Sequence, residues 1–445
     1  MIFTRTILLA YIFASWAIYS ACGVEQQEPI GNFKNPAAVK EVLSGKRTVA
    51  NVAWWGFDEE DSTAALQAAI NSGASKVIVP YMGSAWIVRP INLRSNQEVV
   101  FEPGVVVVAK KGEFKGRNDC LFSAIGKNNI TLCGYGATLG MQKADYMGSD
   151  YQHAEWRHVL LFVGCSDVSV SGLVLRDSGG DGIYLGEGVY SPCKDVLIKD
   201  CICDNNYRQG ISVISVENLR ITNCIFKNTS GHSPSAGIDI EPNVSKNKLI
   251  NIVVSNCVSE NNQGRGFTVA LHNLTKLSAD ISILFVDCYT KGCGRGLEVG
   301  THSSEGPKGL VEFRNCAVED TLSAGIWIVT NSRSFDLRFT DCKIKNANSI
   351  SAFPEKKYIF SDKEYSFPIV LRTRRQMSFE KTGDIQFIDC YVYDEKPRPA
   401  IYVRTSYTGV INAKGTIYVQ NKLAEKLVAG PDAEDIGLKV ERRRP

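Results

Sequence analysis

The sequence predicts an all-β chain wound as a single-stranded right-handed parallel β-helix, with a capping helix at its N-terminal end. The first observation is a recurring phrase, a glycine followed by alternating aliphatic and variable residues. It reads Gly182-Ile183-Tyr184-Leu185, Gly210-Ile211-Ser212-Val213, Gly237-Ile238-Asp239-Ile240, Gly266-Phe267-Thr268-Val269, Gly296-Leu297-Glu298-Val299 and Gly325-Ile326-Trp327-Ile328. Weaker copies follow at Pro368-Ile369-Val370-Leu371 and Ala400-Ile401-Tyr402-Val403. The second is another phrase between these copies, aliphatic-x-aliphatic-x-Asn/Asp-Cys, which sets Cys201, Cys224, Cys257, Cys288, Cys316, Cys342 and Cys390 at one repeated offset. Leu173 fills that place one turn earlier. The third is the spacing. Period-two alternation means short strands, and two or more of them per unit of roughly 28–30 residues fit a solenoid better than a four-stranded propeller blade.

The elements follow in chain order. Arg5 and the apolar run Ile7 to Tyr19 read as a signal peptide over residues 1–21, too short for a comfortable membrane span. Ser20-Ala21-Cys22 resembles a bacterial lipoprotein signal, in which Cys22 carries the lipid, although Tyr19 stands where leucine is usual. An ordinary signal peptide would leave Cys22 incidental. Either way the chain is expected to be exported, to the periplasm or the cell surface, with a lipid anchor to a bacterial outer membrane if Cys22 is modified. Residues 22–50 read as a linker, 51–430 as the β-helix domain and 431–445 as a charged tail.

Asp61-Ser62-Thr63 ahead of Ala64 to Asn71 predicts a capped amphipathic helix that plugs the open end of the solenoid. Lys76 to Pro80 and Trp86 to Val88 begin the coils, and residues 141–157 and 347–366 break the period as loops. Asn and Asp gather after the strands, as in Asp204-Asn205-Asn206, where they suit left-handed corners and bond their stacked copies. The register also explains fourteen cysteines in an exported chain. Stacked ~4.8 Å apart, parallel side chains rarely reach the torsion of a disulfide, so a buried ladder of free thiols is expected.

Composition narrows the function. Fifty basic against 47 acidic residues give a net charge of +3, which offers no general case for nucleic acid. No segment after the first 22 residues approaches the ~20 apolar residues of a membrane helix. There is no phosphate loop, dinucleotide fingerprint, zinc spacing or nucleophile elbow.

The run from Gly56-Phe57 through Asp61, the helix, the Val77 to Pro80 strand and Pro90-Ile91-Asn92-Leu93 resembles the opening of the pectate-lyase-like β-helix superfamily. Within it, the glycine-aliphatic strand resembles the one bearing the active site in polygalacturonase-type glycoside hydrolases. The resemblance covers nearly all of the mature chain in architecture and implies action on a polysaccharide. Asp181, in Ser178-Gly179-Gly180-Asp181-Gly182-Ile183, resembles the first aspartate of that family's Asn-Thr-Asp-Gly pattern. The next coils depart from it, with Arg208-Gln209 in place of an Asp-Asp pair and Ser235-Ala236-Gly237 in place of Gly-His-Gly. The family's acid trio and histidine are therefore not carried over.

The variable positions of the glycine-aliphatic strands form two outward columns. One runs Tyr184, Ser212, Asp239, Thr268, Glu298, Trp327, Val370, Tyr402; the other holds Glu241, Arg372 and Arg404. Asp239 and Glu241 are the candidate catalytic acids, ~6.5–7 Å apart by strand rise, with Glu298 two coils on, ~9–10 Å away, as assistant. Like charges that close separate an acid from a base. Candidate substrate contacts are Asp181, the rings of Tyr184 and Trp327, the arginines Arg208, Arg265, Arg295, Arg372 and Arg404, and the histidines His272 and His302. His158 is a candidate groove wall.

Three readings stand open. One is a glycoside hydrolase acting on a polysaccharide, acidic if the arginines bind its charges, and needing no cofactor. The second is a polysaccharide lyase or epimerase using arginine or histidine, with calcium on Asp239, Glu241 and Asn243. The third is a non-catalytic solenoid that binds a polysaccharide or oligosaccharide. Fold alone does not choose among them.

Overall fold

The computed structural model describes residues 34–445, apart from 190, 303–304, 331, 350–366, 374–381, 395, 405–410, 421–427, 431–436 and 444–445. The signal peptide, Cys22 and most of the expected 347–366 loop lie outside the described residues. The rest is a parallel β-helix. One face is a 12-stranded sheet running from Ile91–Asn92 to Val428–Ala429. Most coils also give two strands to a 22-stranded sheet around the remaining sides, as with Cys193–Lys199 and Ile202–Asp204, while Asn128–Gly140, Ser166–Arg176 and Ile385–Tyr393 each run through both positions. Parallel sheets of this kind need both faces managed along every coil, one by the shared interior and one by solvent or covering loops.

The repeated glycine has a steric cause. A Cβ at Gly237 would stand 2.2 Å from Ser259 Oγ, and one at Gly266 2.2 Å from Thr290 Oγ1. Each glycine marks the place where the chain turns into the 12-stranded sheet with the interior stack directly behind it.

Ladders fill the core. Phe285, Phe313, Phe339 and Phe387 stack with centroids 4.7, 5.3 and 5.0 Å apart. Beside them, Cys201, Cys224, Cys257, Cys288, Cys316, Cys342 and Cys390 stand in register and are buried as free thiols. Each bonds a neighbouring carbonyl, as Cys224 Sγ does to Thr222 at 3.3 Å. The residue before each ladder cysteine is Asp200, Asn223, Asn256, Asp287, Asn315, Asp341 or Asp389, and each has positive φ. Asn256 Nδ2 donates to Asn223 Oδ1 at 2.7 Å, one coil back. These corner residues carry the turn and satisfy one another, as the sequence predicts.

The plug helix is Thr63–Asn71, with Leu66, Ala69 and Ile70 buried in the main core. Its cap differs from expectation. Ser62 makes no side-chain cap and donates instead to the Asp58 carbonyl at 2.8 Å, while Asp61 Oδ1 accepts the Thr63 N–H at 3.0 Å. Two boundaries also shift. Within the stretch expected as linker, Pro36–Leu43 is a helix capped by Asn35, and Val49–Asn51 is already a strand of the first coil. Within the expected tail, Gly437–Arg442 pairs in parallel with Ala413–Gln420. Charge alone does not mark a tail where alternating Leu438 and Val440 still pack on the core. The 141–157 excursion contains no strand.

Candidate active site

The first outward column stands as the alternation predicts. Tyr184, Ser212, Asp239, Thr268, Glu298, Trp327, Val370 and Tyr402 are paired in succession. Its surroundings are not an open polar face. Asp239 is only 1% exposed, because long side chains rising just before each strand fold across the column.

Gln209 and Arg208 do this at Asp239. Gln209 Nε2 donates to Asp239 Oδ2 at 2.9 Å. Arg208 places Nη1 3.4 Å from Ser212 Oγ and 3.9 Å from Asp181 Oδ2, and Nη2 3.3 Å from Glu241 Oε2. One guanidinium thus spans the Asp181 and Glu241 carboxylates.

Strand rise sets the Cα atoms of Asp239 and Glu241 ~6.5–7 Å apart, and the two carboxyl groups stand in unlike surroundings, Asp239 buried and Glu241 at the solvent edge beside Arg208. Burial, then the charge of Glu241, raises Asp239 well above the ordinary carboxylate range, against the pull of Arg208. Glu241 keeps 35% of its side chain in solvent. Asp181 is wholly buried, and burial pushes it up to about 7 despite Arg208. Neither of its oxygens accepts a well-formed hydrogen bond.

His158 packs beside this cluster. Its ring stacks on Tyr184 with centroids 4.7 Å apart, and its Nδ1 accepts the Asp181 N–H at 2.9 Å. Burial, with Arg208 adding to it, drives its pKa down to about 3, so the ring is neutral with its proton on Nε2. The structure adds Glu155, which reaches in from the 141–157 excursion to within 3.9 Å of Arg208 Nε and touches His232. No periodic signal marks Glu155, Gln209 or His232, because excursions and corners lie outside the repeat. The neighbouring Trp156-Arg157-His158 was the one local hint.

Glu298 belongs to a different cluster. Arg265 Nε and Arg295 Nη1 both bond its Oε2, at 3.0 and 2.6 Å. Burial alone would raise this carboxyl, but the two arginines overcome it and hold it below its ordinary value. Trp327 is 4% exposed, packed with Ala324 and Val370, and Arg295 lies over its ring at 4.2 Å with Arg372 at 5.7 Å. It is enclosed by its neighbours rather than offered as an open platform. His272 and His302 occupy one position in adjacent coils, and Gly300 leaves room for the His272 ring. Arg404 pairs with Arg372 in register at the C-terminal end of the sheet, well away from Asp239. The structure thus gathers Asp181, Tyr184, Arg208, Asp239 and Glu241, while Arg265, whose charge also reaches Asp239 and Glu241, joins this group to Glu298, Arg295 and Trp327.

Calcium does not fit Asp239, Glu241 and Asn243. The Arg208 guanidinium already stands against Glu241, and the buried Asp239 carboxyl takes the Gln209 amide. Among the described residues, no group of three or more His, Cys, Asp or Glu is placed to hold a metal ion.

A parallel β-helix with a buried acid cluster on the outer face of one sheet defines the class. The family model of the right-handed β-helix region matches residues 123–251 and 153–334. Among solved structures, the fold is similar to a family 28 exopolygalacturonase of Yersinia enterocolitica, 13% identical over 90% of this chain and 79% of that one, with a TM-score of 0.61. It is also similar to the A-module of the mannuronan C-5 epimerase AlgE6 of Azotobacter vinelandii, 14% identical over 89% of this chain and all of that one, with a TM-score of 0.57. Its fold is the right-handed parallel β-helix that those structures share. Among curated proteins, the SPbeta prophage-derived protein YorA of Bacillus subtilis is 24% identical over 205 residues, 42% of this chain. The matched stretch spans 34% of YorA's own length.

Proposed function

We propose that the protein is a carbohydrate-active enzyme that hydrolyses a glycosidic bond of a polysaccharide laid along the 12-stranded sheet. The observation that carries this is the Asp239–Glu241 pair, two carboxyl groups on one strand in unlike surroundings, one buried and held by Gln209, the other partly in solvent beside Arg208. The buried Asp239 keeps its proton and serves as the general acid toward the leaving oxygen. Glu241, at the solvent edge and oriented by Arg208, is the partner carboxylate. Gln209 fixes the acid, and the stacked Tyr184 and His158 rings wall the site toward its N-terminal end. The names of the similar structures, an exopolygalacturonase and a mannuronan epimerase, support a polysaccharide as the substrate.

Incubation with a panel of defined polysaccharides tests this. New reducing ends without ultraviolet absorbance support hydrolysis, and their absence with Asp239→Asn ties them to this site. Unsaturated products identify a lyase, altered sugar epimers without cleavage an epimerase, and binding without products a recognition solenoid. Export belongs to the same reading, with Cys22 as the lipid-bearing residue. Cys22→Ser should move the protein from the membrane fraction to the soluble one.

A further inference from the structure

Away from the acid cluster, the short strands of the 22-stranded sheet, such as Ile225–Lys227, turn their first and third side chains outward. Over six successive coils the first position reads Val174, Ile202, Ile225, Val258, Tyr289 and Ala317, in register and all partly exposed. A sheet face turned to water is ordinarily polar, but this column is apolar throughout. It is also bounded, with Thr138 one coil before it and Lys343 one coil after. In the same six coils the third position reads Arg176, Asp204, Lys227, Glu260, Lys291 and Glu319, a ladder whose charge changes sign at every step.

Within the chain this ladder is only partly paired. Lys227 Nζ lies 3.7 Å from Asp204, Arg176 turns aside to Asp177 at 2.6 Å, and Lys291 reaches Asp320 at 4.0 Å. Glu260, near the centre, forms no ion pair among the described residues. An even run of alternating charges is complementary to its own reverse. A two-fold axis along the strands, between the coils of Ile225 and Val258, therefore sets Lys227 of one copy against Glu260 of a second, Asp204 against Lys291, and Arg176 against Glu319. The same axis sets Ile225 against Val258, Ile202 against Tyr289, and Val174 against Ala317. The limits of the apolar column and the signs of the ladder thus select one and the same axis.

We infer that this face is a homodimer interface, on which two copies of the chain meet with their coils antiparallel. A ladder with no net charge offers little to a polyanion or a polycation, and the surface that matches it charge for charge is a second copy of itself, as an isologous contact requires. Five strand spacings give a strip ~24 Å long. With the flanking corners it is roughly 20 Å wide, so two copies bury on the order of 1,000 Å², the lower edge of specific interfaces. The dimer is accordingly weak, with a Kd in the micromolar range. The 12-stranded sheet is a different face, so both candidate active sites stay uncovered.

Sedimentation velocity of the full chain at about 1–100 µM reads this directly, and melting curves check the folding of each variant. The parent should pass from monomer to dimer across that range. Lys227→Glu alone and Glu260→Lys alone should each weaken self-association by at least about tenfold, because each sets like charges against each other across the axis twice. An equimolar mixture of the two variants should dimerise again, since Glu at 227 of one copy then meets Lys at 260 of the other. A role confined to pairing between neighbouring coils of one chain gives no such rescue. A parent that stays monomeric throughout, a dimer indifferent to both reversals, or a mixture that stays as monomeric as its components overturns the inference.

Discussion

Gln209 is held at both ends of its carboxamide, and one end holds Asp239. Its Nε2 donates to Asp239 Oδ2 at 2.9 Å while its Oε1 accepts the Ala236 N–H at 2.8 Å. The amide cannot flip without losing the backbone bond, so it presents a donor to the acid in one fixed direction. Gln209→Glu would put an acceptor there. It should lower turnover on the substrate found by the panel by about 10²-fold or more, with circular dichroism showing the fold intact. Turnover within twofold of the parent would remove Asp239 from the catalytic role.

Asp239→Asn should abolish turnover, a loss of about 10²–10⁴-fold, with little change in melting temperature near neutral pH. The asparagine is isosteric with the protonated acid that burial already favours. A large fall in stability together with the loss of activity would instead mark Asp239 as a structural residue.

Asp181 makes a pH-dependent contribution to stability. Its folded pKa lies above its unfolded one, so the folded chain holds this proton more tightly and is favoured at low pH. That contribution is complete below about pH 4 and is lost as pH rises through about 7. The full change is on the order of 4 kcal/mol. Asp181→Asn should flatten the plot of melting temperature against pH across this window, and an unchanged slope would show that the carboxyl is not buried as described.

Glu298 carries the opposite sign. Its folded pKa is depressed, so its contribution is present above the ordinary glutamate value and fades as pH falls. Glu298→Gln leaves Arg265 and Arg295 facing each other, and should cost roughly 2–4 kcal/mol in chemical denaturation. The folded fraction should keep most of its specific activity. Loss of activity without loss of stability would restore Glu298 to the catalytic group.

The thiol ladder should resist alkylation in the native protein and react fully once denatured without reductant. Peptide mapping would find label on Cys201, Cys224, Cys257, Cys288, Cys316, Cys342 and Cys390. Disulfides among them would contradict the coil register.

Sequence by itself determined what repeats. The strand alternation, the glycine at each entry to the sheet, the seven stacked cysteines and the order Tyr184 to Tyr402 were all legible, because a solenoid repeats one local environment and its pairing partners fall one period apart. The candidate pair Asp239 and Glu241 was legible for the same reason. Tertiary structure alone decided what surrounds those positions. Glu155 arrives from an excursion with no period, Gln209 reaches one coil forward to seal Asp239, and Arg265 with Arg295 claim Glu298. Each depends on how far a long side chain extends across neighbouring coils. Burial, and with it the raised pKa of Asp239 and the lowered one of Glu298, follows from that reach rather than from periodicity.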